Sequence, residues 1–203
     1  MYHRSPIALA VLALLREAPM HPYRMQQLLT ERGKYEVINI RQRASLYQTI
    51  DRLLRAGLIA VRETIREEKR PERTVYELTA EGHDTAEVWM REIVAAPKAE
   101  FPEFPAALSL LMLLTPDDAR RQFEARAVAL RGEVARLDSQ LQLQNEGLPR
   151  LFLLDAEYLR AMAATELEWV RAVIDDLRAG RLTWSEAWLR EIAVTFSSPS
   201  TDT

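Results

Sequence analysis

Arg41, Ser45, Gln48 and Arg52 recur at intervals of four and three, with Thr49 beside them. At about 100° per residue this spacing gathers all five on one arc of an α-helix, with Leu46, Ile50, Leu53 and Leu54 on the opposite arc. Arginine forks, glutamine amides and hydroxyls bond phosphate oxygens and base edges in a DNA major groove. No carboxylate stands among the five, although a solvated helix face usually mixes Glu with its Arg. The helix is expected from about Gln42 to Ala56, stopped by Gly57, and Gln42 and Arg43 extend the polar set at its start. Taken alone, the arc is either a nucleic-acid-binding face or an ordinary solvated one.

The elements around it narrow that choice. Ser5-Pro6 is a helix-start signal, a hydroxyl cap followed by a proline whose missing N–H has no partner to lose. Ile7, Ala10, Val11, Leu14 and Leu15 then follow helical spacing. After the Pro19-Met20-His21-Pro22 turn, a second helix presents Tyr23, Met25, Leu28 and Leu29 and stops near Gly33. Past Gly57 the period changes to 2, and strands are expected over Leu58 to Arg66 and Thr74 to Thr79. The joining segment is highly charged. Its Lys69 and Arg70, with Arg73, form either a wing that touches the phosphate backbone or a charged edge that discourages aggregation. Three helices followed by a charged hairpin make a winged helix-turn-helix, in which the third helix enters the major groove.

Three separated motifs in this stretch resemble the PadR-type transcriptional regulators: Met20-His21-Pro22-Tyr23, with proline where glycine is usual; Ser45-Leu46-Tyr47 running on to Gly57-Leu58-Ile59; and Val75-Tyr76-Glu77-Leu78-Thr79-Ala80-Glu81-Gly82. The resemblance covers the first eighty residues. It implies a dimeric repressor, less often an activator, on a palindromic operator. It also implies that Tyr23 and Tyr47 lie near the DNA backbone, that Ser45 opens the recognition helix and that Arg70 and Arg73 are basic wing residues. Tyr47 sits at the edge of the apolar arc, so packing is its alternative use.

The expected architecture is mostly α: a winged helix-turn-helix of three helices and a two-stranded wing, then an α-helical dimerisation domain. Residues 1–97 form the DNA-binding domain with a linker helix capped by Thr79, 98–105 a Pro/Phe linker, 106–196 the dimerisation domain and 197–203 a disordered tail. An apolar helix is expected over Ala106 to Leu114. A long helix after Thr115-Pro116 carries Phe123, Ala127, Leu130, Val134, Leu137 and Leu141 at a 3.5-residue repeat, the mark of a coiled-coil seam. A second long helix carries Trp169, Val170, Val173 and Leu177, and resembles the C-terminal helical domain of the longer PadR relatives. These ten residues are the expected dimer contacts, because two apolar stripes on one hairpin call for a partner. A last helix is expected to be capped at Thr183. Trp89, Trp169, Trp184 and Trp188 either pack in cores or line a pocket for a small apolar or phenolic effector.

The net charge of −3 hides an asymmetry: residues 1–80 hold 14 Lys and Arg against 9 Asp and Glu, and residues 81–203 hold 13 against 21. Polyanion binding therefore belongs to the first part. Zero cysteines exclude disulfides and thiolate metal chemistry and fit a cytoplasmic protein. His3, His21 and His83 lack metal-ligand spacing, and no phosphate loop or nucleophile–base pair is present. The expected partners are double-stranded DNA, a second copy and an effector, with no enzyme activity, cofactor, metal or membrane. The alternative is a helical adaptor that uses its winged helix to bind protein.

Overall fold

The structure is a computed structural model that describes residues 4–39, 43–65, 73–98, 100–144 and 147–197. The chain divides into two compact units, Met1–Ala99 and Glu100–Thr203. It is mostly α-helical, with a single two-stranded antiparallel sheet among the described residues.

The first unit opens with α1 (Pro6–Glu17), where Ser5 Oγ accepts from the Ala8 N–H at 3.2 Å. The helix α2 (Pro22–Glu31) and a short 3₁₀ turn (Lys34–Glu36) follow, joined through Gly33 at φ +67°. Next comes α3 (Arg43–Arg55), closed by Gly57 at φ +71°, a conformation that costs glycine little. The hairpin of β1 (Ile59–Ile65) and β2 (Arg73–Leu78) pairs Ile59 with Leu78 and Val61 with Tyr76, and a bulge between Val61 and Glu63 shifts the register. Tyr76 also exchanges backbone hydrogen bonds of 3.0 and 3.1 Å with Met20, so the turn before α2 is tied to the hairpin. Then α4 (Ala80–Ala95) leaves along α1.

The core of this unit joins Val11 and Leu12 of α1, Met25 of α2, Leu46, Ile50 and Leu53 of α3, and Leu58 and Ile59 at the start of the hairpin. Each such side chain contributes about 1.5–3 kcal/mol by burial. Together they fix α3 with one face inward. The junction of hairpin and α4 is equally tight: Thr79 Oγ1 accepts from the Gly82 N–H at 3.0 Å and donates to the Gly57 carbonyl at 2.8 Å. A Cβ on Gly82 would lie 1.9 Å from the Leu58 carbonyl oxygen. The Thr79-Ala80-Glu81-Gly82 motif thus has a steric reason.

The second unit begins with α5 (Glu103–Leu108) and a 3₁₀ turn (Leu111–Leu113) in place of the single expected helix from Ala106 to Leu114. Pro105 occupies the first turn of α5, where the N–H it lacks would have no intrahelical partner. Two long helices, α6 (Pro116–Gln144) and α7 (Leu154–Arg178), then pack along each other. Thr115 Oγ1 caps α6 by accepting from the Asp118 N–H at 3.2 Å. The last helix, α8 (Glu186–Ser197), takes its cap from Ser185, whose Oγ accepts from the Trp188 N–H at 3.2 Å, rather than from Thr183. Ser197 is the final residue of α8; the rest of the expected tail lies outside the described residues.

The apolar seam closes within the chain. Phe123, Ala127 and Leu137 of α6 and Val170 of α7 are buried without a second copy, and Leu130, Val134, Leu141, Val173 and Leu177 are half-buried. Of the ten expected dimer contacts, Trp169 alone is exposed. A 3.5-residue repeat records that a stripe is covered by a helix and is silent on which chain supplies it. The exposed apolar side chains of this unit are others, including Leu143, Leu151, Phe152, Tyr158 and Met162.

Candidate nucleic-acid interface

The inward anchoring of Leu46, Ile50 and Leu53 turns the opposite side of α3 to solvent. Gln48, Arg52 and Arg55 are exposed there, Tyr47 is 46% exposed, and Ser45 is half-buried. Thr49 departs from the expected face. It is 1% exposed, and its hydroxyl donates to the Ser45 carbonyl at 2.7 Å. The reason is positional: Thr49 projects only about 40° from Leu53 around the helix, and bonding the carbonyl four residues back satisfies its hydroxyl without water.

Asp51 takes the place on the exposed side that Thr49 leaves. The face therefore includes one carboxylate. Arg52 donates from Nη2 to Thr49 Oγ1 at 3.1 Å and from Nε to the Gln48 carbonyl at 3.3 Å. Arg55 Nε reaches the Asp51 carbonyl at 3.2 Å. Among the described residues no carboxylate lies within ion-pair distance of Arg52 or Arg55. Tyr76 of β2 adjoins this side: burial raises its phenol above the usual range, and the charges of Asp51 and Tyr47 add to the effect.

The start of α2 contributes a second cluster. His21 caps the helix, its Nδ1 accepting from the Tyr23 N–H at 3.0 Å, and Tyr23 is exposed. Burial lowers the His21 imidazole below its ordinary pKa, and the nearby Arg73 guanidinium lowers it further. The uncharged ring is the form that can accept from the backbone. The Arg73 guanidinium, at the start of β2, is thus close enough to the capped end of α2 for its charge to act on His21. Arg41, Gln42, Lys69 and Arg70 lie outside the described residues, as does the side chain of Arg43.

Sequence reasoning passed over three residues here. Asp51 and Arg55 fall on the exposed side of α3 at intervals that the arc of five did not include. His21 had a legible signal, since a residue just before a proline at the first helical position stands where a cap belongs. The four tryptophans divide between the units: Trp89 packs against the first core, while in the second unit Trp169 meets Phe104 and Phe123 edge-on and the Trp184 indole N–H donates to the Leu114 carbonyl at 2.8 Å. Trp188 is exposed. None of them lines the grooves of about 400 Å³ between α1 and α4 and about 430 Å³ between α6 and α7.

A helical trio, a third helix with one face buried and arginines outward, and a hairpin tied back to the turn before α2 define a winged-helix fold. Residues 11–88 match the model of the transcriptional regulator PadR-like family. Members of that family are transcription regulators rather than enzymes. No curated protein matches the chain. Among solved structures, PadR of Bacillus subtilis in complex with operator DNA is similar at a TM-score of 0.69 and 16% identity, covering 85% of this chain and 99% of that one. The same protein in complex with p-coumaric acid gives a TM-score of 0.66 at 15% identity, covering 87% and 99%. The Vibrio cholerae virulence activator AphA gives 0.65 at 18% identity, covering 85% and 98%. At these identities the likeness establishes the fold, including the helical second unit.

Proposed function

We propose that this protein is a sequence-specific, DNA-binding transcription repressor that acts as a homodimer on a palindromic operator. The observation that carries the reading is the exposed side of α3, where Gln48, Arg52 and Arg55 stand outward on a helix whose opposite face is locked in the core. The reading assigns DNA contacts also to Ser45 and Tyr47 of α3, Tyr23 of α2 and Arg73 of β2 and, from their place in the sequence alone, to Arg41, Gln42, Arg43, Lys69 and Arg70. The operator complex of the B. subtilis relative supports double-stranded DNA as the partner.

Dimerisation is assigned to residues 106–194, through the apolar side chains that the α6–α7 pair leaves exposed. Two-fold symmetry then sets two recognition helices about 34 Å apart, one turn of DNA. A small apolar or phenolic compound releases the DNA, a role that the p-coumaric acid complex of the relative supports. The protein acts in the cytoplasm, and among the described residues no helix is long and apolar enough to cross a membrane.

The test is selection of duplexes from random-sequence DNA by the full chain, with sedimentation at micromolar concentration. The reading expects an inverted repeat with half-sites one helical turn apart and a dimeric mass. Failure to enrich any sequence, or a monomeric mass, contradicts it.

A further inference from the structure

Among the described residues Thr49 is the only polar side chain that is buried, and it lies in the middle of the helix proposed to read DNA. A buried β-branched position of this kind is filled equally well by valine, so the hydroxyl needs a separate account. Half of that account is internal, the 2.7 Å bond to the Ser45 carbonyl. The other half points outward: the same oxygen accepts from Arg52 Nη2 at 3.1 Å, while Arg52 Nε is held by the Gln48 carbonyl at 3.3 Å.

A guanidinium carries five N–H donors in a fixed plane. Two of them are used on α3 itself, which leaves three on the free edge of the group. The head of Arg52 is therefore set in place before any ligand arrives. We propose that Thr49 is a positioning residue of the nucleic-acid interface, acting through Arg52: its buried hydroxyl latches the guanidinium so that the three free N–H groups meet a phosphate or base acceptor already ordered. The inference rests on the DNA-binding reading of α3. Its physical content is that a long, rotamer-rich side chain ordered in advance loses less freedom on binding.

The experiment uses the full chain and the duplex that the wild-type protein selects from random-sequence DNA, with affinity read by fluorescence anisotropy and stability by thermal unfolding. Thr49→Val keeps the shape and removes the acceptor. It is expected to unfold at or above the wild-type midpoint yet bind about two- to tenfold more weakly, the size expected when one long side chain must be ordered on binding. Thr49→Ser keeps the hydroxyl and removes a buried methyl, so its midpoint falls while its affinity stays near wild type. Arg52→Ala weakens binding, and the Thr49→Val, Arg52→Ala double variant binds no more weakly than Arg52→Ala alone.

Wild-type affinity in Thr49→Val alongside weakened Arg52→Ala would overturn the latch and leave the DNA reading standing. An affinity of Thr49→Ser that falls in step with its midpoint would likewise assign Thr49 to packing alone. Wild-type affinity in Arg52→Ala removes Arg52 from the interface and the latch with it, and a wild-type chain that selects no duplex overturns both readings.

Discussion

In the second unit Arg126, Arg160 and Arg178 each close on a carboxylate of the facing helix, Glu166, Asp138 and Glu124 respectively, at 2.9 Å for Arg160 and 2.8 Å for Arg178. In the first unit, among the described residues, Arg52 and Arg55 bond only to groups of their own helix. The same residue type serves two ends. Between α6 and α7 the arginines neutralise acids and register one helix on the other; on α3 they keep donors free on the solvent side. An unpaired arginine costs little when exposed, so α3 gives up almost no stability by presenting one, whereas exposed pairs contribute only modestly where they form.

The sharpest way to break the first unit is at the glycine that lets α4 start. Gly82→Ala forces a methyl onto the Leu58 carbonyl, and because backbone is the obstacle the helix must shift. A loss of about 3 kcal/mol in denaturant unfolding is expected, within the range of severe packing errors. A change under about 0.5 kcal/mol would show that the junction adapts.

The next largest effect contrasts the two kinds of arginine directly. Arg52→Ala is expected to weaken binding of a selected duplex about tenfold, whereas Arg160→Ala leaves that affinity unchanged. Equal losses in the two variants would erase the distinction between them.

The cap of α2 gives a pH-dependent effect. The folded chain holds the His21 imidazole below its unfolded pKa, through burial first and Arg73 second. Protons therefore bind the unfolded state more readily, and the stability from neutral His21 is present above about pH 6.5 and lost as pH falls toward the lower folded value. His21→Asn retains a capping oxygen and should flatten that part of the profile; an unchanged slope would remove His21 as its source. The smallest effect belongs to the Asp138–Arg160 pair on α6 and α7. Asp138→Asn should lower the unfolding midpoint slightly at low salt and not at all at high salt, since exposed pairs are screened.

The contrast between units also explains what could be read from sequence. The period of Leu46, Ile50 and Leu53 was enough to orient α3, and Gly57, Gly33 and the Ser5-Pro6 cap marked the element ends by backbone chemistry alone. Thr49 misled because polarity was taken for exposure; a hydroxyl satisfied by its own helix breaks that link. The bulge between Val61 and Glu63 left no mark in the alternation. In the second unit the stripe from Phe123 to Leu141 announced a covered helix, yet periodicity is identical whether the cover comes from α7 or from another chain. Ion pairs such as Arg126–Glu166, forty positions apart in sequence, follow only from the packing of α6 on α7.

The central claim is that the exposed side of α3 binds DNA. It is tested most directly by titrating a selected duplex with the full chain across a salt series, for wild type and Arg52→Ala. Affinity should fall steeply with salt in the wild type through counterion release. In Arg52→Ala it should be weaker at every salt concentration. Salt-independent binding, or superimposable curves for the two proteins, would contradict the account.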